Sequence, residues 1–298
     1  MNLFLTALLA FAAAALLTRA MIPWLAAQGA VATENNRTMH TGVVPKGGGL
    51  ALLIAMVLAL LVLILSSGIF SGTSGGLPMP LAVGLMLAAA VSWRDDIRPL
   101  PAQIRLPIHF AAAACFVLSL PGEARVFQGL LPYAGDRALA ILALAGFMNF
   151  FNFMDGINGI AGAEAVAIAG GYLVLAAAAA VALPFAPLAA ALLGATAGCL
   201  VWNLRERGKA LVFMGDVGSV PLGFLTGALM IDLASRGQWA AAVILPSYFL
   251  TDAGVTLVRR VLNGEKVWEA HRSHFYQRAA EAVGAHLPVV WRVSAANV

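Results

Sequence analysis

Long apolar runs separated by short polar stretches set the pattern of this chain. About 20 consecutive apolar residues cross the hydrocarbon core of a bilayer. Runs of this kind predict spans at Leu3–Thr18, Gly48–Ser66, Pro80–Trp93, Ile104–Leu120, Ala138–Phe151, Ile160–Leu183, Pro187–Asn203, Val212–Ile231 and Trp239–Val258, with a tenth beginning at His286. The tenth is cut short at Val298, either by a missing remainder or by an unusually short helix. The runs are hydrophobic all round, so a 3.6-residue period does not reveal which face meets lipid. The expected fold is an all-α polytopic integral membrane protein. It has about ten transmembrane helices, and residues 1–298 form a single domain.

The polar stretches alternate in character. One set carries Arg37 and Lys46; Arg94, Arg98 and Arg105; Arg205, Arg207 and Lys209; and Arg259, Arg260, Lys266, Arg272 and Arg278. The other carries only Arg125, Arg137 and Arg236. The positive-inside rule makes the first set cytoplasmic and puts the N-terminus outside. Every carboxylate-rich knot then falls on the cytoplasmic face, which points to an active site there rather than a transmembrane pore.

Composition agrees and excludes other classes. The chain is 61% hydrophobic and 11% charged, with a mean hydropathy of +0.88, which is not the profile of a soluble domain. A net charge of +4 spread over several loops is no nucleic-acid footprint. Cys115 and Cys199 lie in apolar runs and read as small buried hydrophobes, not as a disulfide or zinc framework. The first apolar run has no basic stretch before it, and Arg19 follows it, so it reads as a retained span rather than a cleaved signal.

The polar knots carry the candidate chemistry. Asn35–Gly49 supplies Arg37, His40 and Lys46, then Gly47–Gly49, for which close helix packing is favoured over a phosphate cradle. Trp93–Leu106 holds the adjacent Asp95 and Asp96 among Arg94, Arg98 and Arg105. Like charges side by side need a compensating cation, from an arginine or a metal. Phe147–Gly162 holds Asn149, Asn152, Asp155 and Asn158, the last three at three-residue spacing. Val212–Gly223 sets Asp216 between Gly215 and Gly218, with Phe213 able to stack on a flat ring. Trp268–Ala279 offers His271, Arg272, His274 and Arg278, which suit an anionic phosphate better than a zinc ion. Carboxylates for a hard divalent cation, cations for phosphates and an aromatic for a base together suit attack on a nucleotide diphosphate at a membrane surface. Asp252 lies within the ninth run, where a polar cavity or cross-helix partner is expected and a substrate role is the alternative; Asp232 is given no role, and Glu164 and His109 read as structural.

In order and spacing, Asp95–Asp96, NFFNFMDGINGIAG (Asn149–Gly162), FMGDVGS (Phe213–Ser219) and HRSHFYQRA (His271–Ala279) resemble the polyprenyl-phosphate N-acetylhexosamine-1-phosphate transferases (glycosyltransferase family 4). The likeness runs from Arg37–His40 onward, and the histidine motif is most similar to the bacterial O-antigen-initiating branch. The resemblance implies a multi-pass protein of the bacterial inner membrane. It would make undecaprenyl-diphospho-sugar and UMP from undecaprenyl phosphate and a UDP-N-acetylated sugar, with Mg2+ required and Mn2+ an allowed substitute. It implies Asp216 as the principal metal ligand and Asp95 and Asp96 as catalytic residues where the lipid phosphate arrives. Asn152, Asp155 and Asn158 would shape the nucleotide pocket, and Phe213 would stack on uracil. His271, Arg272 and His274 would face the diphosphate or sugar, Arg105 the lipid phosphate, and Arg37 and His40 would complete the substrate-binding set. Homodimers occur in the family. The rivals are the phospho-MurNAc-pentapeptide transferase of peptidoglycan synthesis and, from another class, a transporter of lipid-linked sugars. A transporter needs no carboxylate knots confined to one face, and no paired half-repeats are visible.

Overall fold

Backbone groups in lipid must find partners within the chain, so the apolar runs fold as helices. The computed structural model describes residues 2–32, 44–66, 78–178, 183–206, 210–265 and 272–297. Among these lie α1 (Leu3–Ala27), α2 (Gly48–Ser66), α3 (Met79–Ile97), α4 (Ala102–Leu118), α5 (Tyr133–Phe153), α6 (Ile160–Ala178), α7 (Ala186–Asn203) and α8 (Asp216–Ser235). They are followed by α9 (Trp239–Ile244), α10 (Ser247–Leu262), α11 (Phe275–Val283) and α12 (Leu287–Ala296). A two-residue antiparallel ladder joins β1 (Val31–Ala32) to β2 (Val44–Pro45). The chain is an all-α polytopic membrane protein. Six helices (α1, α2, α5, α6, α7 and α8) are long and apolar enough to cross a membrane.

Two features differ from the sequence expectation, and the tenth run begins where it was expected. The ninth run, Trp239–Val258, is two helices, because the chain turns at Leu245–Pro246 and Pro246 caps α10; proline cannot continue a helix from the preceding turn. The tenth run is α12, with His286 as its N-cap. Its ten residues reach about 15 Å at 1.5 Å per residue, half a bilayer core. Between them stands α11, a short amphipathic helix that the apolar pattern does not reveal.

The bundle is built around α8, which is buried along nearly its whole length and packs on α2, α3, α5 and α6. Among the described residues the most extensive helix contact is that of α1 with α7. There Gly194 and Gly198 form a small-xxx-small stripe, where a Cβ would lie 2.0 Å from the Ala7 carbonyl oxygen and 2.3 Å from that of Phe11. Only glycine permits that approach. Trp202 Nε1 adds a hydrogen bond to the Ala15 carbonyl at 2.7 Å.

Each end of the bundle has its own polar network. At the end away from the aspartate knots, Asp136 accepts from the backbone N–H groups of Val126 and Phe127. There Asp232, in α8, accepts from the Tyr172 hydroxyl at 2.7 Å and from Arg236 Nε at 2.9 Å, the cross-helix partnership expected for an intramembrane carboxylate. The opposite end holds the candidate site.

Candidate active site

The start of α8 is where the knots meet. Gly215 caps it with φ at +74°, a conformation open to glycine, and Asp216 opens its first turn, where a carboxylate suits the positive end of a helix. The glycine run of Gly47–Gly49 docks here by its backbone. Gly47 and Gly48 donate to the Phe213 carbonyl at 3.1 and 2.9 Å, and Gly49 donates to that of Met214. A Cβ on Gly49 would lie 2.0 Å from the Gly218 Cα, so these glycines serve helix packing. The same docking carries Lys46 toward the site.

The two adjacent aspartates part company. Asp96 is buried, and its two oxygens accept from the backbone N–H groups of Asp216 (3.1 Å) and Val217 (2.9 Å). Lys46 Nζ lies 3.4 Å from Asp96 Oδ1. Asp96 therefore caps α8 from a neighbouring helix, in place of the capping side chain that Gly215 lacks. Asp95 is less buried and faces Arg105, whose Nη1 lies 2.8 Å from Asp95 Oδ2 and 3.5 Å from Asp216 Oδ2. The Leu100 N–H occupies the other Asp95 oxygen. Arg105 Nε is buried and has no hydrogen-bond partner among the described residues.

Asp155 comes to the same place from the turn between α5 and α6. Burial, then the neighbouring charges of Asp216 and Asp96, push its carboxyl well above the usual carboxylate range. Asn152, one turn earlier, accepts from Ser219 Oγ at 2.7 Å, tying the end of α5 to the first turn of α8. Four carboxylates, Asp95, Asp96, Asp155 and Asp216, thus gather at one spot, with Arg105 and Lys46 as the neighbouring cations.

The remaining expected residues fall into different positions. Asn158 is buried, and its side-chain amide donates to the Arg205 and Glu206 carbonyls at 2.9 and 3.1 Å; it holds the chain that leaves α7. Phe213 is half-buried, and its N–H donates to the Pro45 carbonyl at 2.8 Å. His274 is buried with Nδ1 3.1 Å from Asp252 Oδ1, and it caps α11 together with Gln277. Arg272 Nη1 lies 3.9 Å from Glu281 Oε1. Arg37, His40 and His271 lie outside the described residues. His109 is buried one helical turn after Arg105, and Asn297 donates to Glu164.

Sequence reasoning left Lys46 without a partner and did not single out Tyr276 or His286. Tyr276 donates to the Phe153 carbonyl at 2.9 Å, and His286 Nδ1 accepts from the Asn158 N–H at 3.2 Å. Their signal was present, since a tyrosine and a histidine beside an apolar run need partners.

The family model for glycosyl transferase family 4 matches residues 78–234, a stretch that contains Asp95, Asp96, Arg105, Asn152, Asp155 and Asp216. The chain is also 27% identical over 272 residues to a Bacillus subtilis (strain 168) protein described as a probable undecaprenyl-phosphate N-acetylglucosaminyl 1-phosphate transferase. That similarity covers 84% of this chain and 69% of the relative.

Proposed function

The chain belongs to glycosyl transferase family 4, and from that premise we propose that it transfers the sugar 1-phosphate of a UDP-N-acetylhexosamine to undecaprenyl phosphate at the cytoplasmic face of a bacterial inner membrane. An oxygen of the lipid phosphate attacks the β-phosphorus of the UDP-sugar. The bond from that phosphorus to the bridging oxygen breaks, and UMP leaves with the electron pair. The product, undecaprenyl-diphospho-sugar, would start a lipid-linked envelope glycan such as O-antigen.

The observation that carries this reading is the convergence of Asp216, Asp155 and Asp96 beside Arg105. Crowded carboxylates favour a bound cation, and a guanidinium with an unused donor suits a phosphate oxygen. The donor set also fits Mg2+. Among the described residues, no group of three or more His, Cys, Asp or Glu side chains is arranged to hold a metal by itself. A magnesium ion asks for no such cage, because it binds one or two carboxylates and fills its shell with water and substrate phosphate. Asp216 and Asp155 are the residues that would hold it. Its chemistry there is to neutralise charge on the diphosphate.

The positions of Asp95 and Asp96 favour direct attack. Both oxygens of each already accept hydrogen bonds within the protein, which suits a positioning carboxylate better than a nucleophile. A phosphate monoester is largely ionised at neutral pH, its second pKa being about 6, so the attack needs no strong base. Asp95 orients Arg105 for the lipid phosphate, and Asp96 holds Asp216 in place. Phe213 offers its ring to uracil, and Asn152 fixes the pocket wall through Ser219.

The test is UMP release by purified protein in detergent, given undecaprenyl phosphate, Mg2+ and separate UDP-N-acetylhexosamines and UDP-MurNAc-pentapeptide, with and without EDTA. Release with a UDP-N-acetylhexosamine that EDTA abolishes is the expected result. Release with UDP-MurNAc-pentapeptide alone would move the chain to the peptidoglycan reaction.

A further inference from the structure

The turn that carries Asp155 is gripped at both ends by the C-terminal segment. At its start, the Tyr276 hydroxyl donates to the Phe153 carbonyl at 2.9 Å. At its end, the Asn158 N–H donates to His286 Nδ1 at 3.2 Å. Tyr276 and His286 are both buried, at 0% and 1% exposure, so neither is a surface contact. Tyr276 stands in the first turn of α11 and His286 caps α12 just beyond its end, so α11 runs beside the turn as a bracket. The fit is tight: a Cβ on Gly156, next to Asp155, would lie 2.2 Å from the Tyr276 hydroxyl.

The bracket is itself anchored. Asp252, 2% exposed in α10, accepts from the N–H groups of Phe275 and Tyr276, each at 3.0 Å, and lies 3.1 Å from His274 Nδ1. This is the arrangement that Asp96 makes with α8, a buried carboxylate on one helix capping the start of another. At the far end, Asn297 ties α12 to Glu164 in α6. Contacts thus run unbroken from Asp252 through α11 to the Asp155 turn, and through Asn152 and Ser219 from there to α8.

We propose that Asp252, Tyr276 and His286 are positioning residues, and that α11 holds the Asp155 turn at the height at which the site takes an anionic sugar nucleotide. The identity of that ligand rests on the reaction proposed above; the bracket does not. Without the bracket the turn keeps its ties to Arg205, Glu206 and Ser219 but loses those at Phe153 and at the Asn158 N–H. Asp155 is then no longer held beside Asp216 and Asp96, and donor binding weakens more than turnover of the bound donor.

The experiment compares the full-length wild type with Tyr276→Phe, which removes only the hydroxyl, and with His286→Gln. Amide hydrogen exchange is followed by mass spectrometry in detergent, and KM and kcat for UDP-N-acetylglucosamine are measured separately. The bracket predicts faster exchange across residues 152–159 in both variants. It also predicts a KM raised roughly fivefold, the worth of one neutral hydrogen bond, with kcat little changed. Unchanged exchange at 152–159, or a fall in kcat at constant KM, overturns it. If the wild type turns over no donor, the proposed reaction fails while the exchange result still decides the bracket. If one variant does not fold, the other carries both readouts.

Discussion

Asp96 caps the helix that Asp216 begins: its carboxylate, on α3, takes the N–H of Asp216 at 3.1 Å and that of Val217 at 2.9 Å. The neighbouring Asp95 instead faces Arg105 at 2.8 Å. Two adjacent aspartates thus have separate duties, one holding the site together and one orienting its cation.

This division predicts different failures. Asp96→Ala removes two hydrogen bonds to a charged acceptor, each worth about 1.5–3 kcal/mol, and leaves Lys46 without its carboxylate. Its thermal midpoint in detergent, followed by tryptophan fluorescence, should fall by several degrees, and activity should be lost with it. Asp95→Asn should leave the midpoint near that of wild type while turnover drops. Equal midpoints for the two variants would contradict the assignment.

Asp216→Asn should abolish transfer and leave the protein folded, because the side-chain contacts of this carboxylate, Arg105 at 3.5 Å and Asp95, both belong to the site and not to the helix packing. Binding to the folded state raises thermal stability. Mg2+ should therefore raise the midpoint of the wild type, and the shift should shrink in Asp216→Asn. Full activity in the variant would remove the metal assignment.

Much of the site was legible in the sequence because charge in an apolar chain is conspicuous. Asp95, Asp96, Asp155 and Asp216 stood out, and the structure brings them to one end of the bundle. Asp252 was expected to have a cross-helix partner or a polar cavity, and it has His274; Asp232, given no role from the sequence, has Tyr172. What each carboxylate does was not legible. Nothing local separates Asp95 from Asp96; the distinction arises where the start of α8 lands, a contact 120 residues away in sequence. The break at Pro246 and the helix α11 were hidden for a related reason. Span finding measures apolar length, and α11 is a polar-faced helix whose placement depends on Asp252. The Gly194–Gly198 stripe lay in plain view, but uniform hydrophobicity gave no face on which to place it.

The raised Asp155 carboxyl predicts a pH dependence. Burial, then Asp216 and Asp96, keep a proton on Asp155 in the folded state above the usual range, whereas the unfolded chain releases it near pH 4, at about 3.9. Between those two values the folded state binds more protons, so stability falls as pH rises through that window. Thermal midpoints measured in EDTA should show this decline. Asp155→Asn should lessen it, and Mg2+ should reduce it in the wild type. A wild-type midpoint that rises over that window would contradict the crowding.

Phe213→Ala should raise the KM for the UDP-sugar with little change in kcat. Stacking of a base on an aromatic ring is worth about 1–3 kcal/mol, so a roughly tenfold effect is expected. The backbone bonds of Phe213 to Pro45, Gly47 and Gly48 do not involve its ring, which leaves the turn itself in place. An unchanged KM would remove the stacking role.

The most direct measurement follows the β-phosphate. Purified protein is given undecaprenyl phosphate, Mg2+ and UDP-N-acetylglucosamine carrying 32P at the β-position, and the lipid extract is counted. Sugar 1-phosphate transfer moves the label into the lipid phase and releases unlabelled UMP. Label that leaves as UDP, with sugar alone in the lipid, would contradict the central claim.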